Sequence, residues 1–194
     1  MQTIRVAEGC TRCPALVANR QCIVHGYGPP GAQVVFVGEA PGYKGGDRTG
    51  VPFTRDRSGV RLQRVLISLG LSRETDPRVE RPRLRCFVTN VVRCNPPSNR
   101  TPRRGEIDNC LPHLQQELAC LRPRIVVPIG NVAARSVFPL LVGRPALPIT
   151  QLHARVFRGE QVIVVPLRHT ARISNRDLAD FMTVMRALLQ ESEH

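Results

Sequence analysis

The chain predicts an α/β fold, a three-layer αβα sandwich around a short, mostly parallel central sheet. Two observations carry this. Four short, continuous apolar runs fit strands buried on both faces. Helical segments alternate with them, which places helices over both faces of a parallel sheet. The length of 194 residues suits one domain, 1–194. A single core of this size buries roughly 70% of the surface its unfolded chain exposes, so no disulfide is needed.

The elements follow in order. The stretch Gly26-Tyr-Gly-Pro-Pro-Gly31 is a turn-rich connector into the first strand, residues 33–37. A loop over residues 38–59 comes next, with six glycines and two prolines. Loops this long inside a compact domain are usually functional. A helix over residues 58–69 puts Leu62, Val65, Leu66 and Leu69 on one face. The second strand spans 86–92, followed by a Pro- and Arg-rich loop over 93–104. The helix 105–121 gathers Ile107, Leu111, Leu114 and Leu118 on one side. A third strand spans 125–129 and a helix 131–138. Residues 155–167 hold a hairpin about Gly159 and the apolar strand 162–165, and the last helix spans 175–190.

Composition narrows the class. Lys+Arg is 28 against 15 Asp+Glu, a formal charge of +13, and Lys44 is the sole lysine. With 42% apolar residues the chain is too hydrophobic for a disordered basic tail. No apolar run reaches the roughly 18 residues of a membrane span, and the first residues carry no apolar signal core. A soluble cytoplasmic protein with a polyanion partner, nucleic acid first, is expected.

Seven cysteines, an odd count, argue against a disulfide framework. Cys10-Thr-Arg-Cys13 offers two thiolates to one metal centre. Cys94 and Cys110, in polar Pro- and Arg-rich surroundings, form the best second pair, tying the N-terminal segment 1–30 to the domain. Cys86 reads as a buried small hydrophobe, and Cys22 and Cys120 as structural. Four thiolates suit a structural zinc or an iron–sulfur cluster, and spacing alone does not decide. A redox C-x-x-C is a third reading, but Pro14 directly behind the pair is unlike that motif.

In parallel sheets the site forms at the carboxyl ends of the strands. The loops there bring Glu39, Asn90 and His169 toward one crevice: a carboxylate, an amide and an imidazole. A phosphate-loop reading of residues 38–50 fails, because neither G-x-x-x-x-G-K-[ST] nor G-x-G-x-x-G is present and Pro41 lacks an N–H.

Taken together, Gly38-Glu-Ala-Pro-Gly42, Gly50-Val-Pro-Phe53, Thr89-Asn-Val-Val-Arg-Cys-Asn-Pro-Pro-Ser-Asn-Arg-Thr-Pro102 and the His169 loop resemble the iron–sulfur uracil-DNA glycosylases. The first motif is similar to family 4. Residues 48–59 and the spacing from Gly38 to Phe53 are similar to family 5. The histidine loop reads His169-Thr170-Ala171, where that group usually has His-Pro-Ser or His-Pro-Ala.

The resemblance implies a uracil-DNA glycosylase-like fold and a 4Fe–4S cluster on Cys10, Cys13, Cys94 and Cys110, with zinc as the alternative. It implies a monomeric, nucleoid-associated repair enzyme that flips uracil out of DNA. Phe53 then stacks on the base, Asn90 reads its Watson–Crick edge, and His169 donates to O2. Glu39 is the first candidate to position water, Asp47 the second and Asp56 the third. Gly42 takes the place of a tyrosine that bars 5-methyl groups, with Tyr43 adjacent, so a broader base range is expected. Arg48, Arg93, Arg100, Arg103, Arg104 and Arg172 are expected on phosphates, and Ile173 is a candidate wedge or, equally, a core residue before the last helix. With one lysine, a covalent lyase step is not expected. The competing expectation is a non-catalytic, metal-stapled nucleic-acid-binding module. A related enzyme attacking through a histidine is disfavoured, since residues 95–105 contain none.

Overall fold

The computed structural model describes residues 9–191. Among these residues five strands form one sheet in the order β2-β1-β3-β5-β4. They are β1 (Val34–Gly38), β2 (Phe87–Asn90), β3 (Ile125–Pro128), β4 (Phe157–Arg158) and β5 (Ile163–Val164). All pairings are parallel except β4 with β5, the hairpin that turns at Gly159. The expected mostly parallel sheet is therefore present, with an antiparallel edge.

β1 lies centrally, paired with both β2 and β3, and is buried throughout. Its side chains alternate between two cores. Val35 and Val37 pack with Phe87, Val126 and Val164 beneath α4 (Arg104–Leu121) and α5 (Gly130–Leu141). Val34 and Phe36 pack with Val88, Val127 and Val165 beneath α3 (Arg57–Ser68) and α7 (Asn175–Gln190). These are the three layers. Among the described residues no helix is long and apolar enough to cross a membrane.

Helix starts are encoded locally. Asp56 caps α3 by accepting from Gly59 N–H at 2.7 Å, and Ser174 caps α7 by accepting from Asp177 N–H at 3.0 Å. Glu106 opens α4 by accepting from Arg103 N–H at 2.7 Å. Each faces its apolar stripe inward: Leu62, Val65 and Leu66 on α3, Phe181, Met185 and Leu188 on α7.

Three short helices go beyond the sequence reading, one inside the expected loop 38–59 and two in stretches to which it assigned no element. These are α1 (Pro14–Val17), α2 (Gly46–Thr49) and α6 (Ile149–Leu152), with a 3-10 turn at Pro97–Asn99. Single turns of four residues show too little periodicity to read from sequence. The second strand stops at Asn90 rather than 92. Val91 and Val92 instead donate their N–H groups to the carbonyls of Gly38 and Glu39, stapling the second loop to the first.

Candidate active site

The crevice lies at the carboxyl ends of the strands. Gly38 ends β1 opposite Asn90, its register partner at the end of β2. A Cβ at Gly38 would collide with Asn90 Oδ1 and come within 2.5 Å of the Phe53 ring. Only glycine lets that amide and that ring close on one point. Asn90 is 2% exposed. Phe53 has φ +55, an uncommon conformation for a bulky residue. Helix α3 holds it there: Gln63 donates to the Phe53 carbonyl at 3.3 Å, and a Cβ at Gly59 would lie 2.5 Å from its carbonyl carbon.

His169 follows β5 and stands on the rim beside Gly130, whose Cβ would lie 3.8 Å from His169 Cδ2. Its Nδ1 accepts from Ala171 N–H at 3.3 Å, so the proton of the neutral ring sits on Nε2. Loss of solvent around the ring, assisted by the Arg172 charge, lowers its pKa; Asp56 opposes this. A neutral imidazole with an Nε2–H donor is thus presented near pH 7. The loop lacks the proline usual in the iron–sulfur group. Thr170, fully buried, supplies the stiffness instead: its hydroxyl donates to the Ser58 carbonyl at 3.0 Å and meets Ser58 Oγ at 2.6 Å.

The three candidate carboxylates have different surroundings. Glu39 is half-buried; desolvation raises its pKa and a hydrogen bond from Thr101 partly offsets this. Asp56 caps α3 with Oδ1, while Oδ2 faces the loop, where a Cβ on Gly42 would lie 2.8 Å away. Burial raises the Asp56 pKa, against the Gly59 N–H, His169 and Ser58 N–H. Asp47 is fully buried, with both oxygens on Gln21 N–H at 3.1 and 3.2 Å. It anchors the N-terminal segment, which corrects its expected place beside the reacting bond. Tyr43 is 53% exposed, so Asp56 rather than Tyr43 fills the space beside Gly42.

The arginines divide. Arg48, Arg103, Arg104 and Arg172 are exposed. Arg93 is not a surface cation: it is 2% exposed, pairs with Glu117 at 2.8 Å and bonds Thr89 Oγ1. Arg100 is committed to Glu106 through two bonds of 2.8 and 2.6 Å. Ile173 is 5% exposed and packs in the core between α3 and α7, so the wedge expectation is corrected to core packing. The signal that could have separated these was available only in part: Glu106 and Glu117 sit at helical spacing from one another, but their partners lie on another element.

Cys94 and Cys110 lie near the N-terminal pair. Burial raises the Cys94 pKa, opposed by a 3.3 Å bond from Arg20, with Cys10 and Cys13 adding to the rise. Burial pushes Cys110 up to about 11, with Cys94 and Cys13 again adding. Among the described residues no three His, Cys, Asp or Glu side chains close up around a single ion. Tetrahedral zinc needs sulfurs about 3.8 Å apart, whereas a cluster gives each thiolate its own iron and tolerates wider spacing.

The strand ends of this α/β sandwich thus carry an amide, a ring, an imidazole and two carboxylates. The uracil DNA glycosylase superfamily model matches residues 25–191, and the chain belongs to that superfamily. It is 36% identical over 152 residues to a Type-4 uracil-DNA glycosylase of Pyrobaculum aerophilum, covering 78% of this chain and 70% of that protein. A Type-5 uracil-DNA glycosylase of the same organism is 39% identical over 153 residues, 68% of this chain and 66% of its own. The Type-4 enzyme of Archaeoglobus fulgidus is 32% identical over 177 residues, 89% of this chain and 82% of its own. Similarity to both types accords with the mixed motifs.

Proposed function

We propose that this chain is a DNA repair enzyme, a monofunctional uracil-DNA glycosylase that hydrolyses the bond between uracil and deoxyribose and leaves an abasic site. The observation that carries this is the closure of Asn90 and Phe53 on Gly38, within a member of the uracil-DNA glycosylase superfamily.

The base is first flipped out of the stack, which costs a few kcal/mol and least at a mismatch. Phe53 stacks on the extruded ring, contributing roughly 1–3 kcal/mol. The Asn90 amide accepts from N3–H and donates to O4. Cytosine carries an amine at position 4, leaving two buried donors face to face, so it is rejected. As the bond lengthens, negative charge gathers on uracil O2, where the neutral His169 donates from Nε2. Glu39 and Asp56 are the carboxylates left to position water and face the positive sugar. Arg48, Arg103, Arg104 and Arg172 hold phosphates. The absence of tyrosine at position 42 extends the range to other deaminated or 5-substituted bases.

Cys10, Cys13, Cys94 and Cys110 hold a 4Fe–4S cluster, with zinc as the alternative; when bound it supplies a structural staple. The protein acts as a monomer on uracil-containing DNA in the cytoplasm, at the nucleoid. Incubation with a uracil-containing duplex followed by alkali tests the reading. Strand breakage at uracil supports it, and an intact strand overturns it.

A further inference from the structure

Three asparagines join the N-terminal segment to the loop that carries Glu39. Asn19 donates from Nδ2 to the Asn95 carbonyl at 3.1 Å and to Asn95 Oδ1 at 2.8 Å. Asn95, 1% exposed, donates from Nδ2 to the Pro41 carbonyl at 2.8 Å and to Asn99 Oδ1 at 2.9 Å. Asn99 Oδ1 also accepts from Tyr43 N–H at 2.8 Å. The chain of bonds thus grips the first-motif loop at Pro41 and Tyr43, on either side of Gly42.

Every amide orientation in this chain is forced. Tyr43 N–H can only donate, so Asn99 presents Oδ1. That oxygen and the Pro41 carbonyl can only accept, so Asn95 presents Nδ2 to both. Asn95 is then left with Oδ1 toward Asn19, and the Asn95 backbone carbonyl also only accepts, so Asn19 presents Nδ2. A carboxylate at 95 would face two acceptors.

The backbone at the far end carries strain. Ser98 and Asn99 have φ +56 and +52, consecutive left-handed conformations outside glycine. Such conformations persist where surrounding contacts over-determine them and gather at functional sites. Here the over-determining contacts are those on Asn99 Oδ1.

We propose that Asn95 is a positioning residue for base excision and that Asn19 is the remote end of the same relay. Through it the N-terminal segment sets the shape of the loop holding Glu39 and Gly42. This rests on the glycosylase reading. Asn95 follows Cys94 directly, so the relay runs beside the cysteine cluster as a second tie between the same segments, built of hydrogen bonds rather than thiolates.

The test combines single-turnover uracil excision from a duplex with amide hydrogen exchange at Tyr43. Excision by the wild type establishes the underlying reading; should it fail, exchange at Tyr43 still judges the relay by itself. Asn95→Asp is expected to slow the single-turnover step by about tenfold or more, with duplex affinity changed less than about twofold, because a small misplacement acts on the chemical step. Asn19→Ala, joined to the loop through Asn95, is expected to slow it by about threefold and to add nothing in the Asn95→Asp background, as neighbours in one network do. Both variants are expected to speed exchange of the Tyr43 amide. Independent, multiplying effects of the two substitutions, or unchanged Tyr43 exchange in Asn19→Ala, would overturn the proposal. Asn19→Ala alone carries the exchange readout if Asn95→Asp does not fold.

Discussion

The two carboxylates Asp47 and Asp56 lie nine residues apart in one glycine-rich loop, yet they serve different parts of the molecule. Asp47 turns inward and spends both oxygens on Gln21 N–H. Asp56 spends one oxygen on the cap of α3 and leaves the other beside Gly42, in the electrostatic reach of His169. The same division separates Arg93 from Arg103. One is buried against Glu117, the other stands exposed at the opening of α4. Proximity to a motif in sequence says little about use. What decides is which backbone donors and counter-charges the fold brings to the side chain first.

The sharpest break of this contrast is on the inward side. Glu117→Ala strands the buried Arg93 charge and is expected to cost about 3–5 kcal/mol of stability, read from chemical denaturation. On the crevice side, Asn90→Ala is expected to leave the denaturation midpoint nearly unchanged while lowering excision by roughly a hundredfold or more, since it leaves the uracil edge unread. A variant that loses stability and activity in equal measure would erase the distinction.

Thr170→Val tests the anchor that stands in for a proline. Losing its bond to Ser58 is expected to cost about 1–1.5 kcal/mol of stability, read from chemical denaturation, and to slow excision at constant DNA affinity. The acid side of the pH profile sharpens the role of Glu39 and Asp56. Both pKa values are raised by burial, so either carboxylate protonates at a higher pH than a free one. Activity is therefore expected to fall, as pH drops, before the ordinary range near pH 4 is reached. His169 is lowered instead, below the ordinary imidazole range, and His169→Asn is expected to reduce the rate at pH 7.

The smallest effects separate the surface arginines. Arg103→Ala is expected to reduce the slope of log affinity against log salt by about 0.9, the value for one phosphate contact. Arg100→Ala, already engaged by Glu106, is expected to leave that slope unchanged. Equal slopes for both would show that the bonds to Glu106 open on DNA.

The fold was legible because buried parallel strands and amphipathic helices leave long-period signals. The apolar runs 33–37 and 86–92 located the crevice, and glycine at 38 could be understood only once Phe53 and Asn90 were seen to meet there. The side-chain assignments at the rim were less legible. Nothing local in Asp47 announces Gln21, and nothing in Ile173 separates a wedge from a core residue. These depend on contacts between segments tens of residues apart, which periodicity does not encode. The asparagine relay belongs to the same class: Asn19, Asn95 and Asn99 look like loop residues until Pro41 and Tyr43 are placed beside them.

The central question is whether the meeting of Asn90 and Phe53 at Gly38 is a uracil pocket. The direct measurement is alkaline cleavage of a duplex carrying one uracil, after incubation with wild type and with Asn90→Ala. Breakage at the uracil is expected with wild type, and breakage at least a hundredfold slower with the variant. An intact strand with wild type, or equal rates for the two proteins, would contradict it.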